Sequence, residues 1–219
     1  MASTSGGSAD LPSGPTLCVA SERFGFICLL IAKNASSTLR EVFGREDYDS
    51  HEAHYTSLEP QLRARGFTIA PLRDPVSRLL SAYQEISLRF ELGALSDAGR
   101  KFFRMDDTRE RFDTFLAELD DAGWDPHIRP QVSYLSGVRI DSFIRVERLQ
   151  EGIEDVFRRL DLPPCPTLPV RRSRKERSEI EGYKRFLVSP NDLDDRARST
   201  IARVYEADFR LYSKLFRGG

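Results

Sequence analysis

The sequence predicts a single-domain α/β protein with a central parallel sheet flanked by helices. Three short apolar runs, at residues 24–31, 67–72 and 141–146, are each followed by a segment with helical periodicity. A chain of 219 residues with 40% hydrophobic content buries a substantial core without requiring a second domain. No internal repeat divides it, so residues 16–219 are expected to form one unit. Residues 1–15, rich in Ser, Gly, Ala and Pro, are expected to be a disordered tail.

The first strand runs through Phe26-Ile-Cys-Leu-Leu-Ile31 and leads directly into Ala32-Lys-Asn-Ala-Ser-Ser-Thr38. Ser36, Ser37 and Thr38 are N-cap candidates for a helix that continues through Leu39, Val42 and Phe43. Small residues and outward-pointing amides at a helix start accommodate a phosphate or sulfate, and Lys33 adds positive charge. A Walker A loop needs glycines and a lysine directly before its metal-binding hydroxyl; here the lysine comes first and glycine is absent. Alone, the segment fits equally well a capped turn with a solvated lysine.

The second strand, Phe67–Leu72, ends in Arg73-Asp-Pro75, where Asp74 reads as N-cap and Pro75 as the first helical residue. Val76, Leu79, Leu80 and Tyr83 recur at helical spacing and are expected to face the core, leaving Arg73 at the strand end and Ser81 two turns into the helix, within reach of a folded-back arginine. The plainer alternative makes Arg73 an ion-pair partner and Ser81 a packing residue. Further along, Phe112–Leu119, Leu149–Leu160 and Ile201–Tyr212 carry apolar stripes that read as core-facing helices. In such an open α/β sheet, ligands bind at the carboxyl ends of the strands.

Together the two strand-turn-helix segments resemble the sulfotransferases that use 3'-phosphoadenosine-5'-phosphosulfate (PAPS). The 5'-phosphosulfate loop of that family reads Pro-Lys-x-Gly/Ala-Ser/Thr-Ser/Thr, and Ala32 stands where the proline would be. The 3'-phosphate motif Arg-Asp-Pro-x-x-Arg-x-x-Ser-x-Tyr matches Arg73 to Tyr83 at every specified position. Asp125-Pro-His-Ile-Arg-Pro-Gln131, Asp141-Ser-Phe-Ile-Arg-Val-Glu-Arg-Leu149 and Tyr205-Glu-Ala-Asp-Phe209 look like blocks of the carbohydrate branch. The likeness spans about residues 24 to 215.

The resemblance implies a P-loop-NTPase-like sulfotransferase fold in which Lys33, Asn34, Ala35, Ser36, Ser37 and Thr38 hold the 5'-phosphosulfate and Arg73 and Ser81 the 3'-phosphate. It implies an acceptor pocket shaped by His127, Arg129 and Gln131, with 3'-phosphoadenosine-5'-phosphate (PAP) as product nucleotide and no required metal. In that branch the base comes from the stretch after the first helix, which here is Asp49-Ser-His-Glu-Ala-His54. His54 is the first choice, with His51 and Glu52 behind it. An exposed polar loop would carry the same residues, and His51-Glu-Ala-His54 lacks the spacing of a zinc protease motif.

Arg171-Arg-Ser-Arg-Lys-Glu-Arg177 packs five cations into seven residues, so Arg172 and Arg174 are candidates for the nucleotide or an anionic acceptor; a solvated basic loop is the alternative. Leu92 to Arg111 is the expected specificity loop. A formal net charge of −1 argues against nucleic-acid binding. The three cysteines have no metal-ligand spacing and cannot all pair, and no signal-peptide or membrane-spanning pattern appears. A soluble cytoplasmic enzyme acting on a carbohydrate or small-metabolite acceptor is therefore expected. A nucleotide-dependent phosphotransferase and a non-catalytic nucleotide-binding module are the rival readings.

Overall fold

The structure, a computed structural model, describes residues 16–91, 108–119, 125–168 and 188–216. The elements run β1 (Leu17–Ser21), β2 (Phe26–Leu29), α1 (Ser36–Phe43), β3 (His51–His54), α2 (Pro60–Arg65), β4 (Phe67–Leu72) and α3 (Pro75–Glu91). They continue with α4 (Thr108–Ala117), β5 (Ser142–Arg145), α5 (Leu149–Arg159), α6 (Asp195–Val204) and α7 (Glu206–Phe216). The five-stranded sheet has the order β3-β1-β2-β4-β5.

The three expected strands form its parallel part, with Phe26 opposite Phe67 and Ile69 opposite Ser142. Two unanticipated strands extend it: β1 lies antiparallel to β2, and β3 antiparallel to β1. β1 and β2 form a hairpin in which Gly25, with φ of +61°, supplies the left-handed turn residue. The segment at 49–56, for which an exposed polar loop is the alternative reading, is thus in part an edge strand.

Each sheet face has its own helical cover. Val19, Phe26, Cys28, Ile69 and Ile144 on one face meet Leu39, Val42 and Phe43 of α1 and Ile153, Val156 and Phe157 of α5. Phe43 and Tyr48 pack their rings against Phe157 at 5.5 and 5.7 Å. The other face, through Cys18, Ala20, Ile27, Leu29 and Ala70, meets Leu62 of α2, Tyr134, and Leu211 and Leu215 of α7. A separate cluster binds α3, α4 and α6 through Tyr83, Phe112, Phe115, Ile201 and Tyr205. Burial of large aromatic and branched side chains in all three clusters supplies the main folding free energy, roughly 1.5 to 3 kcal/mol per fully buried side chain.

Hydrogen bonds fix the strand ends. The Thr68 amide donates to Asp141 Oδ2 at 2.8 Å while the Asp141 amide donates to the Thr68 carbonyl at 2.9 Å. That reciprocal clamp sets the register with which β5 meets β4, and so where both strands end.

Candidate active site

At the end of β2 the chain turns sharply through Lys33 (φ 65°) and Ala35 (φ 60°), both left-handed, with the Asn34 amide donating to the Ile31 carbonyl. Two non-glycine residues in this region store strain, which a packed environment must hold. Ala35, rather than Ser36, Ser37 or Thr38, is the N-cap of α1, and no side chain caps the helix. The left-handed turn ends one residue earlier than the hydroxyl pattern suggests, so the three hydroxyl residues occupy the first helical turn. A first turn of this kind presents amides that have no intrahelical acceptor.

Asn34 is fully buried and serves the loop from behind. Its Nδ2 donates to the Pro71 carbonyl at 2.8 Å and to Gln131 Oε1 at 2.6 Å. Gln131, also buried, brackets the neighbouring strand end: its Oε1 accepts from the Arg73 amide and its Nε2 donates to the Arg73 carbonyl, both at 3.0 Å. Asp208 of α7 in turn accepts the amides of Gln131 and Val132 at 2.8 and 2.9 Å. Burial pushes the Asp208 carboxyl up, against the pull of Arg78 and these two amides. Arg78, only 1% exposed, donates from Nε to the Ala32 carbonyl at 3.1 Å, at the entrance to the loop.

The Arg73 guanidinium donates from Nη1 to the Lys33 carbonyl at 3.1 Å, so the two candidate anion-binding segments meet across adjacent parallel strands. Asp74 caps α3 as expected, accepting the Ser77 amide at 2.8 Å, and its own amide donates to Glu147. Ser81 lies on α3, partly exposed.

Lys33 Nζ rests 3.3 Å from Glu85 Oε2, and Glu85 Oε1 lies 3.4 Å from Arg89 Nε. Burial pushes the Glu85 carboxyl up, but Lys33, Arg89 and His127 outweigh it and hold it below the usual range. Arg89 Nη2 stands 3.2 Å from His127 Nε2, and His127 Nδ1 is 2.6 Å from Asp125 Oδ1. The His127 ring thus stands between Arg89 and Asp125, one nitrogen facing each. Arg129 lays its guanidinium over Tyr134, 5.7 Å from the ring centroid.

His51, Glu52 and His54 sit on β3 and are exposed. His54 is opposite Leu17, whose carbonyl accepts the Leu30 amide, so it lies level with the carboxyl end of β2. Glu52 pairs with Arg40 of α1. The odd separation of His51 and His54 points them to opposite faces of the strand. A cavity of about 670 Å³ lined by Glu22, Gly25, Glu59, Pro60 and Arg65 lies at the amino ends of β2 and β4, away from this cluster. Arg172, Arg174 and residues 92–107 of the expected specificity loop fall outside the described residues.

Sequence reasoning missed Arg78, Glu85 and Asp208. Arg78 is a specified position of the Arg-Asp-Pro-x-x-Arg motif, and Asp208 of the Tyr-x-x-Asp-Phe block, so both signals were present without a role attached. Glu85, four residues after Ser81 on one helical face, had only that spacing to mark it.

The two segments expected to bind anions thus meet at neighbouring strand ends. The chain matches the sulfotransferase family over residues 17–214 and belongs to it. Comparison with curated proteins and with solved structures returned no significant match. Among the described residues, no helix is long and apolar enough to cross a membrane.

Proposed function

We propose that the protein transfers a sulfuryl group from PAPS to a hydroxyl, less readily an amine, of a carbohydrate or other small-metabolite acceptor. The reading rests on one observation above all: the Lys33 turn and the Arg73 strand end are tied together by the Arg73 bond to the Lys33 carbonyl. A nucleotide carrying anionic groups at both its 5' and 3' ends fits such a pair of sites. The small side chains of Ala35, Ser36 and Ser37 let an anion approach the α1 amides closely.

When bound, the donor supplies an activated sulfuryl group with a phosphate as leaving group. Lys33 and the amides of residues 36–38 balance the charge that builds on that phosphate, and Ser36, Ser37 and Thr38 orient it. Arg73 and Ser81 hold the 3'-phosphate, with Arg172 and Arg174 as further cations. A ring nitrogen of His54 takes the acceptor proton, with His51 and Glu52 as the other groups on β3 able to do so. His127 and Arg129 face the acceptor, while Asn34 and Gln131 act through the loop and the Arg73 backbone they fix. Three cysteines that form no disulfide fit a reducing compartment, and we place the enzyme in the cytoplasm.

Calorimetry of PAP, AMP and ATP with magnesium against wild type and Arg73→Ala tests the reading. PAP should bind far more tightly than AMP, and the preference should vanish in the variant. Equal affinity for PAP and AMP overturns it. Metal-dependent ATP turnover instead identifies a phosphotransferase, and tight PAP binding without transfer to any acceptor a binding module.

A further inference from the structure

We propose that Glu85 is the resting counter-ion of Lys33, a positioning residue that releases the lysine when the donor enters and takes it back when PAP leaves. The inference rests on the reading of Lys33 as a donor-binding residue. Lys33 and Glu85 side chains are 13% and 26% exposed, so their 3.3 Å pair is shielded from bulk water. The ammonium is therefore committed to a carboxylate at the position where the donor's anionic groups must be met.

Two features make the pair exchangeable. Glu85 also faces Arg89 at 3.4 Å, one turn further along α3, so the carboxylate keeps a cation after Lys33 departs. Arg89 is itself held by His127 Nε2, and His127 by Asp125, which fixes the guanidinium beside Glu85. The row Lys33, Glu85, Arg89, His127, Asp125 thus forms one continuous chain of polar contacts leading away from the phosphate loop. Ser81, four residues before Glu85, shares its face of the helix, which places the 3'-phosphate candidate and the counter-ion along one line.

The two residues flanking this exchange act in opposite directions. Without its charge, Glu85 no longer competes with the nucleotide for Lys33. Without Arg89, Glu85 has one cation fewer and grips Lys33 harder. A merely structural ion-pair cluster predicts weaker nucleotide binding from both changes.

The test is calorimetric titration of PAP into folded wild type, Glu85→Gln and Arg89→Gln, each checked by circular dichroism. Glu85→Gln should tighten PAP by about three- to tenfold and slow its dissociation, and Arg89→Gln should weaken PAP by about threefold, both differences shrinking as salt rises. Unchanged or weaker binding in Glu85→Gln, or unchanged or tighter binding in Arg89→Gln, overturns the proposal; if one variant fails to fold, the other decides alone. Wild type that binds PAP no better than AMP fails the functional reading itself, which separates the two failures.

Discussion

Asn34 offers a quantitative test of whether the turn at residues 33–35 is held from behind. Its Nδ2 makes two buried hydrogen bonds, at 2.8 Å to Pro71 and 2.6 Å to Gln131. Each contributes about 1 kcal/mol net, and Asn34→Ala also leaves the Pro71 carbonyl with a lost donor, so the expected cost is about 2 to 3 kcal/mol. Gln131 Oε1 keeps the Arg73 amide and is not orphaned. Asn34→Asp preserves the shape but turns an oxygen onto two acceptors, which raises the expected cost to about 3 to 5 kcal/mol at neutral pH. The introduced carboxyl is held above its ordinary pKa in the folded state. Its penalty is therefore small below that ordinary value and grows as pH rises towards the raised one. Urea denaturation at about pH 5 and about pH 7.5 reads both effects, and the gap between the Asp and Ala variants should widen at the higher pH. If Asn34→Ala unfolds within about 0.5 kcal/mol of wild type and Asn34→Asp matches it at both pH values, the loop is not braced by this side chain.

Two further outcomes follow from packing and titration. At Gly152 an added Cβ would lie 2.6 Å from Ile144 Cγ2, so Gly152→Ala should cost about 1 to 3 kcal/mol by denaturation, and combining it with Ile144→Ala should recover part of the loss; additive costs would count against this contact. Burial raises the Asp125 carboxyl, but the His127 hydrogen bonds and Arg89 outweigh it and leave it below its ordinary 3.8. Its stabilisation is therefore present above that value and lost as pH falls through the lower folded one. Asp125→Asn should flatten the acid limb of the stability curve relative to wild type; parallel limbs would refute it.

The parallel part of the sheet and the turns that follow its strands were legible because each strand is a compact apolar run ended by turn chemistry. Asp74 and Pro75 marked the start of α3 for the same local reason. β1 was not legible: Leu17-Cys-Val-Ala-Ser21 is short, and only its pairing with β2 and β3 makes it a strand. β3 was hidden because His51-Glu-Ala-His54 is a polar edge, whose pattern is that of a loop. Within the candidate site, the residues expected to face an anion were picked out by charge and size. Those that hold them from behind were not: a buried Gln131 and a buried Asn34 acquire their meaning from partners far along the chain, which no local spacing records.

That remoteness governs when the site comes into being. Asn34 and Gln131 are 97 residues apart, Arg73 and Gln131 58, and Gln131 and Asp208 77. During synthesis the Lys33 turn emerges well before α7, whose Asp208 completes the clasp behind it. Closing loops of this length is entropically costly and slow, so the brace behind the turn forms only once these distant segments have met. A nascent chain halted before Asp208 would hold both turns without the carboxylate that anchors Gln131 and Val132.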